Sequence, residues 1–522
     1  MNPEAYCRWR QQLWSQRGPN VATPTYEALL PCYKEAIERC SQLSLDRPEQ
    51  QNKSSACSKE QASVASMASV EATVKSPARK ELLDAMLRAV NSGAEEPFYV
   101  IDLDAAVERL ALWHELLPDI EPHYAVKCNS DPALLLTLAH AGTSFDCASR
   151  AEISQVLELG VPASRILYAN PIKQPSHLRF AAERGVSLTV FDGEHELAKL
   201  AQCHPSCKLL LRIAVDDSQA QCVLSNKYGA QPRDAEHLLD AAARNGLHVV
   251  GISFHVGSGS SSVDAFRDAV KRAARIFDAA AERGSPMTVL DVGGGFPGVD
   301  TEEVSFHAMA VALRDALKVH FPRDRGVRII AEPGRFFASP THTLATSIIG
   351  KKVAGSTLAE NAESDEALAD TGATLRVNYY NNDGLYGSFN CILYDHASPS
   401  FEVLPTPSVV DTITNEATAC VWGPTCDGID CVVADARLPA LPVGAWLYFQ
   451  DMGAYTACAG SNFNGMALPD VVYLQAKSDD AKRPQPPRIA AATMLRQLAE
   501  DGVTAVPVKP SSAALENNAY KV

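Results

Sequence analysis

Short apolar runs rich in β-branched and aromatic residues alternate along the chain with longer segments of helical period. The runs fall at His123–Lys127, Ser144–Asp146, Ile166–Ala169, Ser187–Phe191, Leu209–Ile213, Val249–His255, Met287–Val292 and Val327–Ala331. Each of the first seven is followed by an amphipathic pattern, among them Ala151–Leu159, Glu194–Ala201, Asp264–Ala281 and Phe306–Val319. Eight strands alternating with helices over about 210 residues predict an α/β fold, a (β/α)8 TIM barrel at 121–337. An open doubly wound sheet is the rival, but it seldom repeats eight units so evenly.

After Glu332 the period changes. Val377–Tyr380, Thr418–Trp422, Trp446–Gln450 and Val471–Leu474 are β-rich runs separated by Gly, Pro and Asp. They predict a C-terminal antiparallel β-domain over 338–477, which 91–120 joins through the early run Pro97–Leu103. Residues 1–90 form an extension expected to be largely disordered, since Gln51–Pro77 is polar and poor in large apolar residues. The acidic stretch Ala354–Ala373 reads as an inserted loop, and 478–522 as a polar tail.

Composition narrows the class. The 522 residues are 46% apolar and 21% charged, ordinary for a soluble globular chain. No apolar run reaches the ~18 residues that span a bilayer, so no membrane partner is expected. A formal net charge of −15 disfavours a nucleic-acid backbone as partner. Fourteen cysteines without a CxxC pair suit a reducing compartment better than a disulfide scaffold. The spacing of Cys203 and Cys207 is a weak metal signal, and no metal site is expected. Without a secretory signal, the expected location is cytoplasmic.

The chemistry lies at the strand ends, where a barrel gathers its active-site residues. The first strand ends at Lys127, the second at Asp146, the fifth carries Arg212 and the sixth ends at His255. The seventh ends at Gly293-Gly294-Gly295 and the eighth at Glu332-Pro333-Gly334-Arg335. Each has a structural use when taken singly: a paired lysine, a tight turn, a buried ion pair, a hydrogen-bonded core histidine. Three glycines after strand seven also allow a phosphate to approach backbone N–H groups. An amine, a phosphate cradle and an acid for a pyridine nitrogen together point to pyridoxal phosphate on a Schiff-base lysine. In the β-domain, Trp422-Gly-Pro-Thr-Cys-Asp-Gly-Ile-Asp430, Tyr394-Asp395-His396 and Asp451-Met-Gly-Ala-Tyr455 pass, on spacing alone, as ordinary turns.

The literal strings carry further. Tyr124-Ala-Val-Lys-Cys-Asn129, Phe145-Asp-Cys-Ala-Ser149, Phe254-His-Val-Gly-Ser-Gly259, Asp291-Val-Gly-Gly-Gly-Phe-Pro-Gly298, Ala331-Glu-Pro-Gly-Arg335 and Trp422-Gly-Pro-Thr-Cys-Asp-Gly428 resemble the eukaryotic ornithine decarboxylase family. That family has fold type III, with an alanine-racemase-like barrel. The likeness runs from about Pro97 to Leu474. It implies that Lys127 carries pyridoxal phosphate, that Glu332 keeps the ring nitrogen protonated and that His255 stacks on the ring. Asp146, Glu152 and Arg212 would surround the ring. Ser258, Gly293, Gly294, Gly295, Pro333, Gly334, Arg335 and Tyr455 would hold the cofactor, most of them at its phosphate. Cys426 would return a proton to the α-carbon, while Asp395 and Asp427, with Tyr394 alongside, receive the distal ammonium.

The resemblance further implies decarboxylation of L-ornithine to putrescine, the first step of polyamine biosynthesis. It implies a head-to-tail homodimer in which Cys426 and Asp427 reach the partner's site. Two other readings stay open: a decarboxylase of lysine or another basic amino acid, and a catalytically inactive antizyme-inhibitor-like regulator. Tyr168 to Gln174 with Arg179 and Arg184 resembles the basic element by which animal relatives bind antizyme; a solvated helix face is an equal reading. The departures are Phe336-Phe337, where the family usually has two tyrosines, and Cys431, where animal relatives carry Arg.

Overall fold

The computed structural model describes residues 77–354, 376–406, 409 and 416–474. The N-terminal extension before residue 77, the acidic insertion and the C-terminal tail lie outside these residues. The first strand, β1 (Phe98–Ile101), precedes the barrel. β2 (Ile120–Ala125), β3 (Ser144–Cys147), β4 (Ile166–Tyr168), β5 (Leu188–Phe191) and β6 (Lys208–Arg212) then follow with intervening helices. A short ribbon of β7 (Ala220–Cys222) and β9 (Ser258–Ser260) flanks β8 (His248–Ser253), and β10 (Val289–Asp291) and β11 (Arg328–Ala331) complete the set. The order β10-β11-β2-β3-β4-β5-β6-β8 closes into a barrel, and all eight pairs are parallel. The expected (β/α)8 barrel is therefore present. Leu167, Val190, Leu210, Val289 and Ile330 form one of its buried apolar clusters.

The first and sixth runs end earlier than their apolar patterns suggest. β2 stops at Ala125 and β8 at Ser253, so Lys127 and His255 stand just beyond the pleat rather than in it. Lys127 sits in a short 3-10 turn, Val126–Cys128, ahead of the helix Pro132–His140. Asp131 starts that helix by accepting the N–H groups of Ala133 and Leu134 on its side chain, with Pro132 at the first position.

Beyond the barrel come β12 (His342–Ala354), β13 (Arg376–Asn381), β14 (Phe401–Val403), β15 (Glu416–Trp422), β16 (Cys431–Pro439), β17 (Trp446–Phe449) and β18 (Asp470–Tyr473). They form one sheet with β1, along the path β14-β17-β12-β13-β15-β16. Its pairs are antiparallel except β1–β18 and β13–β15, which run parallel.

The N-terminal boundary differs from the expectation. Pro77–Asn91 is a helix, not part of a disordered extension. Its Ala85 and Met86 are buried with Phe98, Val100, Ala345 and Trp446, and Arg79 donates to Glu402 at 2.7 Å. The apolar face finds cover only because the sheet, distant in sequence, offers it. The helix Asp104–Leu116 packs Trp113 against Phe296, Phe306, Phe336 and Phe337 at centroid distances of 4.9–6.2 Å. Phe336 and Phe337 are fully buried in this aromatic cluster, where a tyrosine hydroxyl would need an acceptor.

Candidate active site

The functional side chains meet where β2, β3, β6, β8, β10 and β11 end. Lys127 Nζ lies 2.6 Å from Asp146 Oδ2 at the end of β3. Its side chain is 40% exposed to the open mouth although protein surrounds it. Burial pulls the ammonium's pKa down, but Asp146 and then Glu332 outweigh it and hold the amine charged. Asp146 is fully buried, and its Oδ1 has no hydrogen-bond partner. An unpaired buried oxygen facing an amine is costly unless a ligand completes it.

Glu332, just after β11, is buried beside Asp291 at the end of β10. Burial raises Glu332 well above the carboxylate range, and the like charges of Asp291 and Asp146 push it the same way. Asp291, pushed up to about 6 by burial, accepts from Ser253 Oγ and the Gly293 N–H, each at 2.9 Å. Two buried carboxyls in contact favour sharing one proton over carrying two negative charges. Glu152, on the helix Arg150–Glu158, accepts the Ala148 N–H at 2.6 Å, and burial lifts it to about 7.

His255 accepts the Gly257 N–H on Nδ1 at 3.0 Å, which leaves Nε2 as the protonated nitrogen of a neutral ring. Burial, then Arg212 and Lys127, hold its pKa well below the usual histidine range. Arg212 stands over the Tyr228 ring at 5.3 Å.

The glycine run after β10 forms a cradle. Gly293 has φ +64 and Gly295 φ +108, and a Cβ at Gly293 would meet Phe254 O at 2.1 Å. A Cβ at Gly294 would sit 2.8 Å from both Glu332 O and His255 Nε2. Only glycine permits this path. Among the described residues, no hydrogen bond uses the N–H groups of Gly294 or Gly295. Arg335 faces them from the first turn after β11. Its Nη2 donates to Ser258 Oγ at 2.9 Å and to Asp395 Oδ1 at 2.7 Å, and its Nε is buried without a partner. Tyr455 lies under the guanidinium at 5.1 Å, with φ +54. Its N–H donates to Cys128 O at 3.0 Å, while Asn129 Nδ2 donates to Gly453 O at 2.8 Å. These two bonds tie the β-domain loop to the turn bearing Lys127.

This donor set fits a flat aldehyde carrying a phosphate. It offers an amine, a proton-bearing carboxyl pair, unpaired N–H groups and a cation with a free donor. Residues 103–339 match the family model of the pyridoxal-dependent decarboxylases, in its pyridoxal binding domain. The chain is also 44% identical over 399 residues to the ornithine decarboxylase of Mus musculus, covering 76% of this chain and 85% of that one. The chain belongs to the pyridoxal-dependent decarboxylase family. The decarboxylase is likewise 40% identical over 400 residues to antizyme inhibitor 2 of Xenopus laevis, covering 76% and 86% of the two chains. Among solved structures, it matches the arginine decarboxylase of Paramecium bursaria Chlorella virus with a TM-score of 0.67 at 36% identity, over 75% of this chain and 100% of that one.

The structure brings Lys127, Asp146, Glu152, Arg212, His255, Ser258, the three glycines, Glu332 to Arg335, Asp395 and Tyr455 around one mouth. Cys426 and Asp427 are elsewhere, on the exposed turn between β15 and β16. The Cys426 N–H donates to Asn464 Oδ1 at 3.0 Å, and Asp427 accepts the Tyr386 hydroxyl. Among the described residues, neither contacts the barrel mouth. Tyr394 is exposed, beside Asp395.

Two residues change standing. Lys173, expected on an exposed basic element, is buried: Nζ donates to Val190 O at 2.6 Å and pairs with Glu196 at 3.1 Å. A lysine closed in by three carbonyls and a carboxylate offers no surface contact, whereas Arg179 and Arg184 remain exposed. Asp291 was not singled out from sequence, yet it is the buried carboxyl set against Glu332. Its place two residues before the glycine run was the available signal.

Proposed function

We propose that this decarboxylase removes CO2 from L-ornithine to give putrescine, using pyridoxal phosphate held at the barrel mouth. The carrying observation is the convergence of Lys127, the Glu332–Asp291 pair and the Arg335–glycine cradle. These groups are the ones that an inactive relative has no need to keep. When bound, pyridoxal phosphate supplies a ring that accepts the electron pair left as CO2 departs. Lys127 would hold the cofactor covalently, and Glu332 would keep a proton at the ring nitrogen. Gly294, Gly295, Ser258 and Arg335 would bind the phosphate, with His255 against the ring. Pro333, Gly334 and Gly293 shape the walls.

Asp395 supports a basic substrate. One oxygen is taken by Arg335, while Oδ2 is buried with no partner. An ammonium at the far end of a diamine would satisfy it. One methylene is worth about 1–3 kcal/mol in such a pocket. Ornithine should therefore exceed lysine in kcat/KM by about 10–200-fold. Radiolabelled CO2 release from ornithine, lysine and arginine checks this, and a preference for lysine or arginine would overturn the substrate.

The exposed Cys426–Asp427 turn supports a homodimer with shared sites, in which this turn enters the partner's mouth. Cys426 would return a proton to the α-carbon there, and Asp427 would meet the distal ammonium. Lys127→Ala and Cys426→Ala chains, each inactive alone, should complement when mixed. Random reassortment makes half the dimers hybrid, each with one intact site, so activity should reach about a quarter of wild type. Sites built from one chain would leave the mixture inactive.

A further inference from the structure

Cys420 on β15 and Cys431 on β16 face each other with their sulfurs 3.5 Å apart. The ladder between the strands shifts register on both sides of Val421 before Trp422 pairs with Cys431. Such irregularity gives the backbone local freedom that a regular ladder lacks. The two sulfurs need to close to about 2.05 Å to bond. Closing that gap asks for rotation about the two Cα–Cβ bonds and a small shift of the irregular ladder. Cys420 is buried and Cys431 half-buried, so a small reagent reaches Cys431 first. Neither thiol takes part in the chemistry at Lys127. They stand at the base of the turn that bears Cys426 and Asp427.

We propose that Cys420 and Cys431 are a covalent modification site, forming an intramolecular disulfide by exchange with a low-molecular-weight disulfide of the glutathione type. The Cys431 thiolate attacks one sulfur of the reagent, breaking its S–S bond and releasing one thiol. Cys420, deprotonated in turn, attacks the Cys431 sulfur and expels the second thiol. The two cysteine sulfurs are oxidised, the reagent is reduced to two thiols, and the cysteine protons end on those thiols. The new bond staples the two strands beneath the Cys426 turn. Burial, then the neighbouring Cys420, push the Cys431 thiol up to about 11. The first attack therefore quickens by about tenfold per pH unit between pH 7 and 9.

The test treats the full-length holoenzyme with oxidised glutathione and maps peptides by mass spectrometry without reduction. The expected product is one linked peptide pair containing Cys420 and Cys431, about 2 Da lighter than the two free peptides together. It should revert with dithiothreitol, vanish in Cys431→Ser and Cys420→Ser, and persist in Cys426→Ser. A link from either cysteine to Cys426, a stable glutathione adduct on Cys431, or two free thiols after exhaustive treatment at pH 9 would overturn the assignment.

Discussion

Lys127→Ala should lower CO2 release from ornithine by about 10³-fold or more, a rise of about 4 kcal/mol in the barrier. Lys127 presents a primary amine at the mouth, the group that condenses with an aldehyde to an imine. Its position is fixed from two sides. Asp146 holds Nζ at 2.6 Å, and the turn carrying it is pinned by Tyr455 to Cys128 and by Asn129 to Gly453. A fixed amine is already near its target, which is where orientation contributes most. Borohydride treatment followed by peptide mapping should fix the cofactor on the peptide containing Lys127 and nowhere else. Lys127→Arg separates chemistry from charge. It keeps a cation beside two buried acids, so it should hold the wild-type melting temperature more nearly than Lys127→Ala, yet be as inactive. Activity retained in either variant would move the covalent role to another residue.

The barrel was legible because both signals that build it are local: short apolar runs for strands buried on both faces, and a period of about 3.6 for helices. Its active end was legible for the same reason, since a residue closing a strand faces the mouth whatever surrounds it. What lay beyond local pattern was pairing. Pro77–Asn91 reads as polar chain until Phe98, Ala345 and Trp446 cover Ala85 and Met86, and Trp446 lies some 350 residues away. Lys173 fails differently. A basic residue in a loop looks exposed, yet three carbonyls and Glu196 enclose it. Cys426 and Asp427 illustrate a third limit, because one chain's sequence lists residues without saying which mouth they serve. The exposed turn raises that question, and the mixing experiment answers it. Asp291 went unnoticed because its meaning is relational: it becomes a proton partner only through a neighbour on the next strand.

Glu332→Gln should separate stability from activity. Folding in the cofactor-free protein buries Glu332 and sets it beside Asp291 and Asp146, which raises its pKa well above the unfolded value near 4.5. A carboxyl with a raised folded pKa binds more protons folded than unfolded, so its penalty is absent below about pH 4.5. The penalty grows as pH rises through the window between the two values. Glutamine keeps the shape and never ionises. The cofactor-free variant should therefore match wild type near pH 4.5 and melt higher at pH 7.5, by about 2–4 °C for each kcal/mol relieved. His255, His123 and His342 are all held below the usual histidine range and work in the opposite sense. The difference between the two proteins cancels them, so the melting curves must be subtracted pH by pH. Activity should move the other way, with kcat falling by about 10²–10⁴-fold because no acid keeps the ring nitrogen protonated. A buried acid pair that costs stability in the empty protein is the signature of a group kept for chemistry. Equal melting temperatures across the whole range would mean that Glu332 and Asp291 share their proton at no cost, and the pair would then be structural.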